Sequence, residues 1–201
     1  MRTRPVTVCL ASVKEDALSV KEAQLFTMRR FGAPEQNILT TLGNLSITYQ
    51  SLGKKEQALS MRREVYFGFV KLEGAEHGET LREVSNYMAI LVDLQHFDEA
   101  KSLMRKTMPV VRRVLGHYDS TTLRMRMVYA IALCRDSDAT LDDLREAVTT
   151  LEETERIARR VLGRPHPLTT NCASTLRNSR AQLTAVETPP VFARGWLGGS
   201  G

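Results

Sequence analysis

Three observations predict an all-α chain built from stacked helix-turn-helix repeats. The stretch from Leu42 to Gly74 returns 42 residues later, with Asn44 recurring as Asn86, Leu52 as Leu94, Ala58 as Ala100 and Gly74 as Gly116. A third copy is shifted by 47, so that Ala100 becomes Ala147 and Gly116 becomes Gly163. Self-similarity at a period of this length marks an array of supersecondary units rather than a single globular pattern. Apolar residues within each copy keep helical spacing, and aromatics are only 6% of the 201 residues, which suits helices better than a β-rich fold.

Inside the first full copy, Ile38, Leu42, Leu45, Tyr49 and Leu52 fall on one stripe of a helix. The pattern stops at SLGKKE, where Gly53 can take the left-handed conformation that closes many helices. It resumes at Ala58, Met61, Val65, Phe69 and Leu72 to give a second helix. In the next copy the stripes are Leu81, Val84, Met88 and Leu91, then Ala100, Leu103, Thr107, Val111 and Val114. One such hairpin cannot bury its apolar faces alone, so neighbouring copies must stack.

A small residue early in each second helix (Ala58, Ala100, Ala147) and a Leu or aromatic late in the first helix resemble tetratricopeptide repeats. The 42-residue period, Asn44 and Asn86, and unit ends such as LEGAEHGET and LGRPHPLTT resemble the longer repeats of kinesin light chains. The resemblance covers about residues 37 to 183 and implies a right-handed α-solenoid whose first helices line a concave groove.

In chain order, residues 1–36 read as a degenerate N-terminal half-repeat, with a second helix over about 13 to 31 and Ala17 in the place of Ala58. Repeats follow at 37–79, 80–121 and 122–168, the last with an enlarged turn at Arg135 to Ala139. A capping helix at 169–186 and a disordered tail at 187–201, rich in Pro and Gly, close the chain. Capping boxes are expected at Thr80 with Glu83 and at Thr140 with Asp143, and Pro167 suits a first helical turn. Pro109 lies within a second helix and is expected to kink it.

Composition narrows the function classes. No stretch approaches 18 uninterrupted apolar residues, so no span of a membrane is predicted, and the short apolar run after Met1 lacks a signal-peptide cleavage site. Cys9, Cys134 and Cys172 are widely separated and fit no metal spacing, which points to reduced thiols and a cytoplasmic protein. The four histidines fall in turns, His77 and His166 in a Gly-x-x-His context and His117 directly after Gly116, which repeat geometry explains. No catalytic constellation, cofactor motif or metal site is read from the sequence, so a non-catalytic protein is expected.

Carried over from the resemblance, the groove shows Thr40, Gly43, Asn44, Ile47 and Ser51, then Arg82, Ser85, Asn86, Ala89 and Asp93, then Arg124, Met127, Val128, Ile131 and Arg135. Asn44 and Asn86 match the asparagines that bond the backbone of an extended peptide in the family, whereas Val128 breaks that ladder. Arginine grips carboxylates bidentately, so the expected ligand is an acidic peptide or partner protein bound by a scaffold or adaptor. Arg82 and Arg124 also admit a second reading as solvated residues at the groove lip. Arg29–Arg30, Arg62–Arg63, Arg112–Arg113 and Arg159–Arg160 form a second basic feature, which the helix dipole explains without nucleic acid. No long heptad region supports association with kinesin itself. The alternative is a recruiting or regulatory fragment of a larger enzyme or signalling protein. Trp196 in the tail is either a short partner motif or part of an unstructured end.

Overall fold

The computed structural model describes residues 6–188. The expected tail, with Pro189, Pro190 and Trp196, lies outside the described residues. Eight α-helices and no strand occur among them: α1 Val6–Arg30, α2 Glu35–Ser51, α3 Lys55–Glu73, α4 Gly78–Asp93, α5 Phe97–Val114, α6 Ser120–Arg135, α7 Leu141–Val161 and α8 Pro167–Glu187. They form two compact units that divide within α5 at Pro109. In the first unit α1 packs on α2, α2 on α3 and α3 on α4; in the second, α6 packs on α7, α7 on α8, and α6 also meets α8.

The repeat period is visible in what each position buries. Ala58, Ala100 and Ala147 are all 0% exposed, and Leu39, Leu81 and Leu123, spaced by 42, are buried as well. The core of the first unit centres on Leu39, Leu45, Val65, Leu81 and Met88, that of the second on Leu123, Met125, Leu133 and Leu151. Close approach of α2 to α3 depends on Gly68: a Cβ there would stand 2.5 Å from Leu39 Cδ2.

Helix ends are built alike. After α2, Lys54 N donates to Tyr49 O (2.9 Å) and Gly53 N to Gln50 O (3.0 Å), with Gly53 at φ 76°. This is the paired 6→1 and 5→2 bonding that satisfies the last free carbonyls of a helix. One repeat later His96 N donates to Leu91 O (2.8 Å) and Gln95 N to Val92 O (3.1 Å), but the left-handed residue is Gln95 at φ 65°. At the starts of α4, α6 and α8, the side chains of His77, Asp119 and His166 accept from the backbone N–H of Glu79, Thr121 and Leu168.

The expected capping box at Thr80 and Glu83 does not form. His77 already caps α4, so Thr80 falls inside the first turn, where it is 1% exposed and donates to Phe69 O at 3.3 Å. Glu83 instead accepts from Arg62 at 2.9 Å. The reciprocal box of Thr140 and Asp143 is present, and Pro167 occupies the first turn of α8. Helix α5 continues through Pro109, whose ring nitrogen has no hydrogen to give the carbonyl of Arg105.

Candidate functional site

The groove strips expected on the first helices keep the 42-residue register. Thr40, Asn44, Ile47 and Ser51 on α2 correspond to Arg82, Asn86, Ala89 and Asp93 on α4, and to Arg124, Val128, Ile131 and Arg135 on α6. Spacings of four, three and four residues put each set on one helical face.

In the first unit, Thr40 and Asn44 are exposed and Ile47 is 53% exposed. The Thr40 hydroxyl donates to its own helix at Gln36 O (2.8 Å), leaving Asn44 as the polar group that α2 offers. On α4, exposed Arg82 pairs with Glu79 at 3.0 Å, and half-buried Asn86 donates through Nδ2 to Glu83 Oε1 at 3.2 Å. Asp93 accepts from Gln50 Nε2 at 2.8 Å, which ties the last turn of α2 to that of α4. Gly43 and Ser85, expected on the open face, are buried instead. Gly43 faces α3, where an added Cβ would sit 3.4 Å from Arg62 Nη1.

In the second unit, Arg124 and Arg135 are exposed, Ile131 is half-buried and Val128 is 5% exposed. Val128 therefore belongs to the core more than to any open surface. A cleft of about 130 Å³ separates α6 from α8, lined by Ile131, Arg135, Thr175, Asn178 and Gln182, with Cys134 and Ser179 at its floor. Cys134 Sγ donates to Ser179 Oγ at 3.1 Å, and Gln182 Nε2 donates to Cys134 O at 3.0 Å. Burial pushes the Cys134 thiol up from its ordinary value, against the smaller opposing effect of the Ser179 bond. Arg135 has no acidic partner among the described residues, so its guanidinium is available to a ligand carboxylate.

Helix α8 reads locally as a solvated cap, yet it carries the same strip. A shift of 47 takes Arg124, Val128, Ile131 and Arg135 to Asn171, Thr175, Asn178 and Gln182. The signal is the period itself, continued past Gly163. The Gly-x-x-His turn extends to Gly-x-x-[His/Asp]-x-x-Thr, present as Gly74, His77, Thr80; Gly116, Asp119, Thr122; and Gly163, His166, Thr169. In it the glycine turns the chain with positive φ, the third-next residue caps the helix, and the threonine is buried.

The basic doublets on the second helices are partly neutralised. Arg29 pairs with Glu64, Arg113 with Glu76 and Arg159 with Glu155. Arg62 is 9% exposed and engaged by Glu83, so Arg62–Arg63 is not a surface doublet. Among the described residues no three His, Cys, Asp or Glu side chains come together in a way that could hold a metal ion. No helix among them is long and apolar enough to cross a membrane.

An all-α array of repeated hairpins defines a class, the helical-repeat proteins. Residues 38–77 match the family model of the tetratricopeptide repeat. The fold of the chain is similar to two crystal structures of the kinesin-light-chain nearly identical TPR-like repeats of Podosopora anserina. For one of these the TM-score is 0.63 at 17% identity, over 87% of this chain and 88% of that one. For the other it is 0.62 at 17% identity, over 88% and 89% of the two chains. BtubC (BKLC) from P. vanneervenii is similar with a TM-score of 0.56 at 12% identity, over 85% and 74% of the two chains. In sequence, 137 residues (67% of this chain) are 21% identical to a clustered mitochondria protein homolog of Aspergillus niger, and they span 11% of that relative's length.

Proposed function

We propose that the chain is a non-catalytic adaptor of the cytoplasm that holds an extended, acidic peptide of a partner protein along its first helices. The observation that carries this reading is the α6–α8 cleft, where Arg135, Thr175 and Asn178 converge beside an apolar wall at Ile131. Amide and hydroxyl groups can serve both donors and acceptors of a peptide backbone, and Arg135 supplies the charge that selects for Asp or Glu. Asn44 and Asn86 offer the same backbone chemistry in the first unit. Because helices fix these side chains before binding, little receptor entropy is lost on capture.

The test is a peptide array probed with the wild-type chain, with Asn44→Ala/Asn86→Ala and with Arg135→Ala. The proposal expects acidic extended peptides to be captured, and each variant to weaken them by about 1–2 kcal/mol. Identical capture profiles for all three proteins would remove it. A second reading, a recruiting or regulatory segment of a larger protein, is favoured by alignment to a relative of which this stretch is 11%. It uses the same groove and differs in what is joined to it.

A further inference from the structure

Helix α8 has a second face, and it departs from that of α6. The hairpin side of α6 runs through Leu123, Arg126, Ala130 and Leu133; Arg126 is ion-paired with Glu153 of α7, and Ala130 and Leu133 are 0% and 1% exposed. A shift of 47 places Ala173, Arg177 and Arg180 of α8 where Arg126, Ala130 and Leu133 stand on α6. Both arginines are exposed, and beside them, between α7 and α8, lies an open cleft of about 590 Å³. In repeat terms this cleft lies on the face of α8 that corresponds to the face of α6 covered by α7.

The cleft is charged with one sign in excess. Arg159, Arg177 and Arg180 line it with Glu152 and Glu155, and an adjoining cavity of about 160 Å³ adds Arg164 and Thr169. Glu152 is taken by Arg180 at 2.6 Å and Glu155 by Arg159. Arg164 and Arg177 have no acidic partner among the described residues. The Thr169 hydroxyl is buried without a hydrogen-bond partner, whereas its counterparts Thr80 and Thr122 donate to backbone carbonyls. A solvated cap needs polar groups of either sign; it does not call for an open cleft with one unneutralised arginine at its wall and another in the adjoining cavity.

We propose that this seat between α7 and α8 docks an acidic amphipathic helix of a partner protein. The packing of helix α7 on the matching face of α6 sets the helical shape of the occupant, and the excess of arginine sets its charge. Surface ion pairs such as Glu152–Arg180 are weak and exchange readily for a ligand carboxylate. This surface is separate from the peptide strips of the first helices, so the two proposals stand or fall apart.

The probe is a fluorescent synthetic helix of about 20 residues, comparable to one repeat helix, with Leu on one stripe and Glu elsewhere. Two controls are the same composition broken by prolines and a version with Lys replacing Glu. Titrated against the full chain, the acidic helix is expected to bind best, and to lose about tenfold or more in affinity to Arg177→Ala/Arg180→Ala. Asn44→Ala/Asn86→Ala should leave its affinity unchanged. Arg177→Glu/Arg180→Glu should transfer preference to the Lys helix, with helicity measured by circular dichroism to show that the variants stay folded. Undiminished binding in the alanine double variant would overturn the proposal. So would equal binding of the proline-broken peptide through the same arginines, or self-association of the chain that those substitutions abolish, which would make the occupant a second copy.

Discussion

Gln95 stands one repeat after Gly53 and carries the same left-handed turn at φ 65° against 76°. An L-residue pays roughly 1–2 kcal/mol for that conformation, and glycine gives back part of the gain through its freer unfolded chain. Gln95→Gly is therefore expected to raise unfolding free energy by about 0.5–1 kcal/mol in denaturant titration; a loss of stability would show that the Gln95 side chain contributes something the turn geometry does not. Thiol chemistry gives a second residue-scale expectation. Cys172 is 0% exposed and its thiol is pushed up to about 11, by burial first and the Glu155 charge second, and burial also raises Cys134. In a Cys9→Ser background, a thiol reagent at neutral pH should label neither cysteine until the protein is unfolded; rapid native labelling would contradict their placement in the core.

At the scale of elements, the contact of α2 with α3 and the ion pairing of α5 are the places where substitution reports most. Gly68→Ala should improve helix propensity by about 1 kcal/mol, but Leu39 is 2% exposed and has no room to swing from the new Cβ. Overpacking costs typically 1–3 kcal/mol, so the net expectation is destabilisation of about 1 kcal/mol in thermal or denaturant unfolding.

The enlarged turn after α6 is fastened by Lys101 of α5, which lies 2.6 Å from Asp136, the two side chains being 16% and 14% exposed. The Lys101 bond holds the Asp136 carboxyl below its ordinary 3.8, and the Asp136 bond holds the Lys101 ammonium above its ordinary 10.5. A depressed carboxyl contributes stability that is present above 3.8 and lost as pH falls through its folded value. A raised ammonium contributes stability that is present below 10.5 and lost as pH rises through its folded value. Lys101→Met is expected to cost on the order of 1–3 kcal/mol at neutral pH. It should also shrink the loss of stability that wild type shows below pH 3.8; unchanged acid sensitivity would show that the pair is not what titrates.

For the whole molecule, the fold class was legible because repetition multiplies weak signals: Ala58, Ala100 and Ala147 say little singly, and together they fix the register of three second helices. The same register carries the groove strip into α8, although its polar sequence reads locally as a cap. What the sequence could not disclose was which of several polar residues near a helix start faces inward. Thr80 and Glu83 match a capping box in spacing, but His77 holds the cap and packing turns Thr80 toward Phe69 O. Burial of Gly43, Ser85 and Val128 was hidden for a related reason, since an average strip assignment ignores that neighbouring helices cover some positions and not others.

The central claim is that partners are held on the first helices. Hydrogen–deuterium exchange of the full chain, with and without an acidic peptide captured from the array, tests it most directly. The account predicts added protection in α2, α4, α6 and α8, with α3, α5 and α7 unchanged. Protection confined to the second helices, or spread evenly over the chain, would contradict it.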